Sequence, residues 1–151
     1  MSTSSLQFRI LNEIGIIAQL SQTAFERAMP SGMTLSQFTV LNHFVRLGGT
    51  RSPAELASAF QVTRATMTST LQRLESKGFV ALAPDPEDGR GKRVSLTDEG
   101  RAMRDQCIAA LEPGLKRLAA MGFGERSEPL LDGLVSLRQQ LDAARAQSKE
   151  R

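Results

Sequence analysis

The sequence predicts a mainly helical protein in which two short helices form a helix-turn-helix and a small β-hairpin follows directly. Three observations lead there. Apolar residues recur at helical spacing through six separate stretches of the 151-residue chain. The third and fourth of these stretches are short, each opens on a hydroxyl residue suited to cap a helix, and only Gln61 and Val62 separate them. Between Phe79 and Thr97 the pattern changes to two strand-like runs around a stretch of turn formers.

The first helix is read over Leu6 to Ala28, with Ile10, Ile14, Ile17 and Phe25 on one side and Leu11 and Leu20 near another. Apolar coverage that wide needs partners on more than one side, which a short domain supplies by wrapping the helix or by dimerising. Pro30, Ser31 and Gly32 end it. Thr34 with Gln37 is a capping-box start for a second helix, whose stripe is Leu35, Phe38, Leu41 and Phe44 or Val45 and whose stop is Gly48-Gly49. In the third helix Ser52 caps, Pro53 suits the first position, Glu55 bonds back to the cap, and Leu56 and Ala57 are apolar. Thr63 caps the fourth, with Met67, Leu71 and Leu74 facing the core and Lys77-Gly78 at its end.

Phe79–Leu82 and Arg93–Leu96 read as strands joined by a long tip, Ala83–Lys92. Thr97, Asp98 and Glu99 open a fifth helix, with acidic residues where the helix dipole favours them. Its stripe is Met103, Cys107, Ala110 and Leu111, and Pro113-Gly114 is expected to kink or break it. A sixth helix is expected over Glu125 to Ala146 on Leu130, Leu134, Leu137 and Leu141, with a frayed tail from Gln147 to Arg151.

Composition bounds the function classes. A net charge of +3 permits nucleic-acid binding without requiring it, so the placement of basic residues decides. Cys107 is the one cysteine, which rules out an intramolecular disulfide, and Met1 to Gln7 has no signal-peptide pattern. No apolar run reaches the length of a membrane span, so a cytoplasmic location is expected. One His and one Cys far apart, with no nucleophile-base pair, metal-ligand cluster or glycine-rich phosphate loop, give no machinery for catalysis and no call for a cofactor or metal.

The outer side of the fourth helix carries Arg64, Thr68, Ser69, Gln72 and Arg73, where an ordinary surface helix shows Glu and Lys pairs. The second helix of a helix-turn-helix fits the major groove, and a basic-tipped hairpin after it makes a winged helix-turn-helix. Two rival readings are a winged module for protein–protein contact and a thiol-based redox sensor built on Cys107. Basic groups on both helix and hairpin tip argue against the first. The apolar stripe around Cys107 makes it read as a buried small hydrophobe.

Asp88-Gly89-Arg90-Gly91-Lys92-Arg93-Val94-Ser95-Leu96-Thr97 resembles the wing signature of the MarR family: Asp and Arg two apart, then Val, then Leu-Thr opening a helix. Leu35–Leu41, Ser52–Ala57 and Val62–Val80 are also similar, so the resemblance covers nearly the whole chain. It implies an obligate homodimer with intertwined N- and C-terminal dimerisation helices. The expected parts are residues 1–32 for dimerisation, 33–97 for the winged DNA-binding domain and 98–151 for further dimerisation helices. The implied function is sequence-specific binding of a pseudo-palindromic operator with half-sites about 10 base pairs apart, as a repressor released by a small aromatic or carboxylate effector.

On that basis Arg90 is the minor-groove arginine and Asp88 the carboxylate that orients the wing, with Lys92 and Arg93 near phosphate. On the fourth helix Arg64, Ala65, Thr68 and Ser69 are expected at bases or groove floor, and Thr63, Thr66, Gln72 and Arg73 nearer phosphate. The family's effector pocket would involve Ile14, Ile17, His43 and Met103. Ala81 and Leu82 depart from the family pattern, in which a basic residue is frequent just after the start of the hairpin, and this removes phosphate contacts.

Overall fold

The computed structural model describes residues 3–30 and 32–149. Their contacts divide the chain into two compact units, 1–111 and 112–151.

The first unit contains α1 (Thr3–Ala28), α2 (Leu35–Leu47), α3 (Pro53–Phe60), α4 (Arg64–Ser76), β1 (Val80–Pro84), β2 (Lys92–Leu96) and the opening turns of α5 (Asp98–Leu118). Local chemistry starts each helix. Thr34 Oγ1 accepts the Gln37 N–H at 3.2 Å. Ser52 Oγ accepts the Glu55 N–H at 3.1 Å while Glu55 Oε2 accepts the Ser52 N–H at 2.6 Å, a complete capping box behind Pro53. Thr63 Oγ1 accepts the Thr66 N–H at 3.1 Å. The turn from α3 to α4 places Gln61 in the left-handed region, φ 52°, and the Val62 N–H bonds to the Ala57 carbonyl at 3.0 Å.

The core is drawn from every element of this unit except α1. Val40, Leu41 and Phe44 of α2, Leu56 of α3, Met67, Leu71 and Leu74 of α4, Val80, Val94 and Cys107 are all buried. Each buried leucine contributes about 2 kcal/mol by leaving water. Buried Gln37 is satisfied by Lys77, whose Nζ donates to its Oε1 at 2.9 Å and also to the Gly32 carbonyl. Arg104 of α5 donates twice to Asn42 Oδ1, tying α5 to α2.

β1 and β2 pair antiparallel, with Val80 opposite Leu96 and Pro84 opposite Lys92, so each strand runs further toward the tip than the sequence suggests. A third participant is Arg51, which bridges to Val94 through N–H to carbonyl bonds of 3.1 and 2.7 Å. The base of the hairpin is clamped to α5. Thr97 Oγ1 donates to the Gly78 carbonyl at 2.6 Å and accepts the Gly100 N–H at 3.0 Å. Gly100 is buried so closely that a Cβ there would lie 2.0 Å from the Phe79 carbonyl oxygen.

Pro113 does not break α5, which runs through it to Leu118. A proline deletes one rung of the hydrogen-bond ladder, and Gly114 keeps a non-positive φ, so the chain continues as helix. The left-handed turn comes later, at Gly122 with φ 84°.

The second unit holds the end of α5, a widened turn at Ala119–Phe123, a tight turn at Gly124–Arg126 and α6 (Ser127–Lys149). The tight turn displaces the start of α6 from the expected Glu125. The helix runs to Lys149, past the expected fraying point at Gln147, while Glu150 and Arg151 lie outside the described residues, as does Ser31. Leu130, Leu134 and Leu141 of the α6 stripe are exposed in the single chain. So are Phe8, Leu11, Ile17 and Leu20 of α1, the last to 70%. Apolar helix faces left in water in this way mark surfaces that take a partner.

Candidate nucleic-acid interface

α4 buries one face and presents the rest. Met67, Leu71 and Leu74 point into the core, and Thr63, Arg64, Ala65, Thr66, Thr68, Ser69, Gln72 and Arg73 are all exposed. No acidic residue occurs between Thr63 and Arg73. The helix has a cleft on either side. On one side Arg64, Thr68 and Gln72 face the wing across a cleft of about 740 Å³ that Arg90, Gly91 and Lys92 also line. On the other, Ala65, Thr66, Ser69 and Arg73 line a polar cleft of about 580 Å³ with Glu26 of α1 and Thr34. The structure therefore brings Arg64, Thr68 and Gln72 of α4 together with Arg90, Lys92 and Arg93 of the wing, while Ala65, Thr66, Ser69 and Arg73 open onto the other cleft.

The hydroxyls of this face are partly committed. Thr63 and Thr66 share a hydrogen bond at 2.8 Å, and Thr70 Oγ1 donates to the Thr66 carbonyl at 3.1 Å. Thr68 and Ser69 stand on the open surface.

The wing tip is folded onto itself. Asp88 Oδ1 accepts the Arg90 N–H at 3.0 Å, and the Asp88 carbonyl accepts the Gly91 N–H at 2.9 Å. Asp85 Oδ1 accepts the Glu87 N–H at 2.9 Å, while the Asp85 N–H donates to the Gly91 carbonyl at 3.0 Å. Such side-chain bonds two residues on are the usual way Asp shapes a turn. Arg90 and Lys92 are exposed at and beside this tip, whereas Arg93 is half-buried and turned toward α3. Its partner Glu55 has a carboxyl held below its ordinary range by the Ser52 N–H, with help from the charges of Arg93 and Arg51.

The residues assigned to an effector pocket lie elsewhere. His43 is half-buried, with its ring centroid 5.2 Å from that of Phe60 and edge-on to Phe44 at 6.2 Å. Burial, then Arg51 and Arg46, push its pKa down. Ile17 is exposed, and Met103 packs at the margin of the core. None of Ile14, Ile17, His43 or Met103 lines either cleft described above, or a third of about 260 Å³ walled by Gln22, Thr39, Phe60 and Thr66. That third cleft escaped the sequence reading because its walls come from α1, α2, α3 and α4 and share no local pattern. Cys107 is fully buried, and burial pushes its thiol pKa up.

Comparison with known proteins bears on this arrangement. Residues 31–91, which hold α2 to α4 and most of the wing, match the sequence profile of the MarR family. The multiple antibiotic resistance protein MarR of Salmonella typhimurium is 38% identical over 78 residues, 52% of this chain and 54% of that protein. This chain belongs to the MarR family. A second relative, the HTH-type transcriptional repressor NicR of Pseudomonas putida, is 34% identical over 102 residues, covering 67% of this chain and 64% of its own. Among solved structures, a mutant MarR from Escherichia coli complexed with operator DNA superposes with a TM-score of 0.62 at 29% identity, over 78% of this chain and 84% of that one. In sequence this MarR-family chain spans about half the length of the Salmonella relative, whereas the structural match extends well beyond the winged segment. The winged helix-turn-helix is thus both the fold seen here and the fold of the family.

Proposed function

We propose that this chain is a sequence-specific DNA-binding transcriptional regulator, not an enzyme, that works in the cytoplasm as a homodimer on a pseudo-palindromic operator. The observation that carries this reading is that Arg64, Thr68 and Gln72, from the exposed stretch of α4 between Thr63 and Arg73 that holds no acidic residue, share one cleft with Arg90 and Lys92 of the wing, a cleft whose walls also carry Glu55, Glu75, Asp85 and Asp88. In this arrangement α4 enters a major groove through Arg64, Ala65, Thr68 and Ser69, with Thr63, Thr66, Gln72 and Arg73 toward phosphate. Arg90 reaches the neighbouring minor groove, where a narrow groove concentrates negative potential. Asp88 serves it by ordering the tip. The exposed apolar faces of α1 and α6 favour residues 1–32 and 98–151 as the dimerising parts around a winged domain at 33–97.

Repression with release by a small aromatic or carboxylate effector is the direction we favour, and the name of the NicR relative, a transcriptional repressor, supports the repression. An effector releases DNA only by binding the DNA-incompetent form more tightly. Selection of bound duplexes from fragmented genomic DNA, followed by footprinting, tests the whole reading. A protected two-fold symmetric site is expected, with affinity falling steeply as salt rises. Retention of no duplex in low salt refutes it and leaves protein–protein contact as the role of the winged module.

A further inference from the structure

Arg93 follows Lys92 in β2, yet its surroundings differ from those of the other basic groups of the wing. All three of its guanidinium nitrogens donate within the protein: Nε to Thr50 Oγ1 at 3.1 Å, Nη2 to the Thr50 carbonyl at 2.9 Å, and Nη1 to Glu55 Oε2 at 3.1 Å. Glu55 is itself fixed, because the same oxygen accepts the Ser52 N–H at the start of α3. The main chain makes the same junction one residue away, where Arg51 and Val94 exchange their N–H to carbonyl bonds. Side chain and backbone thus tie β2 to the segment that opens α3.

This ion pair is too open to matter much for global stability, with the Glu55 side chain 53% exposed. What it supplies is direction. A guanidinium is a rigid fork, and acceptors placed around three of its nitrogens fix its plane in a way that an ammonium point charge does not reproduce.

We infer that Arg93 is a positioning residue that latches the wing to the N-terminal end of α3 and sets where Arg90 stands relative to α4, and is not itself a phosphate contact. The lever is short but sensitive. Arg90 lies three residues beyond the latch, at most roughly 10 Å along the chain, so a tilt of about 15° at the root carries the tip by up to about 2–3 Å, enough to lose a direct hydrogen bond. The effect on DNA rests on the function proposed above; the latch itself is a property of the free protein.

The variants Arg93→Lys, Arg93→Gln and Glu55→Gln separate latch from phosphate contact. Glutamine at position 55 keeps an acceptor for the capping box but removes the charge that pairs with Arg93. The probe is a fluorescein-labelled duplex selected by the wild-type chain from a random pool, titrated at several salt concentrations. A latch predicts that Arg93→Lys and Glu55→Gln each weaken binding by about five- to tenfold, that none of the three variants changes the salt slope, and that the Arg93→Lys/Glu55→Gln double variant is no weaker than the worse single. Near wild-type binding by Arg93→Lys, with a slope lowered by about one unit in Arg93→Gln, overturns it in favour of a phosphate contact. Additive losses overturn it too.

A second readout needs no DNA. Amide hydrogen exchange at Arg51 and Val94 in the free protein is expected to quicken in Glu55→Gln, and unchanged exchange there refutes the latch. If the wild-type chain selects no duplex, the proposed function fails alone and the exchange experiment still decides the role of Arg93.

Discussion

Gly100→Ala is a one-atom test of how the wing is anchored. The added Cβ would stand 2.0 Å from the Phe79 carbonyl oxygen and 2.9 Å from Leu96 Cδ1, whereas real Cβ contacts below 3.0 Å are essentially absent. Relief therefore requires the first turn of α5 to move at least 1 Å from the start of β1. That movement stretches the Thr97 N–H to Phe79 carbonyl bond, now 3.2 Å, and the Thr97 hydroxyl bond to Gly78. Overpacking of a rigid backbone contact costs about 1–3 kcal/mol, and a weakened Thr97 cap about 1 kcal/mol more. The better helix propensity of alanine returns up to about 1 kcal/mol. The net expectation is a loss of about 1–3 kcal/mol, which lowers Tm by roughly 3–10 °C for a chain of this size. Urea denaturation followed by circular dichroism, at one fixed protein concentration, measures it. Gly89→Ala is the control: it meets nothing within 4 Å and has no positive φ, and its stability should stay within about 0.5 kcal/mol of wild type. A Gly100→Ala protein as stable as that control would refute the steric reasoning and with it the clamp at the hairpin base.

Three further outcomes follow from the described geometry. Arg90→Ala should weaken binding to a selected duplex and reduce the salt slope by about one unit with an unchanged melting curve; an unaltered slope removes Arg90 from the interface. Cys107, fully buried with a raised thiol pKa, should resist thiol-specific reagents until the protein unfolds, and peroxide should leave DNA binding intact; rapid labelling of the native protein would restore a redox role. His43 titrates below 6.5 in the folded chain, so between its folded and unfolded pKa values the unfolded state binds more protons. Stability should therefore decline as pH falls below about 6.5, and His43→Gln should flatten that dependence; equal pH profiles for the two proteins would show that the imidazole is not the group responsible.

What was readable in the sequence is what is decided within four or five residues. Thr34 with Gln37, Ser52-Pro53-Ala54-Glu55 and Thr63 place three helix starts because a cap and its N–H partner are near neighbours in the chain. The absence of acidic residues from Thr63 to Arg73 is likewise a local property. The bridge of Arg51 to Val94 has no such signature, since a single paired residue shows no alternation. The partners of Arg93 lie 38 and 43 residues away, so its charge was legible and its engagement was not. Gly100 reads as an ordinary glycine early in a helix until the Phe79 carbonyl is seen beneath it. Pro113 is read locally as a kink or a break, and of these the break does not occur, because a proline removes one hydrogen bond of a helix without ending it.

The self-bonded fingertip has a further consequence for recognition. Asp85 and Asp88 hold the backbone of the loop through hydrogen bonds already made in the free chain, so less conformational entropy remains to be surrendered when a partner arrives. A stiff probe of this kind does not mould itself to whatever trough it meets. It rewards a furrow of matching breadth and rejects one too wide or too shallow, which converts the flexibility of the nucleic acid, not that of the protein, into selectivity.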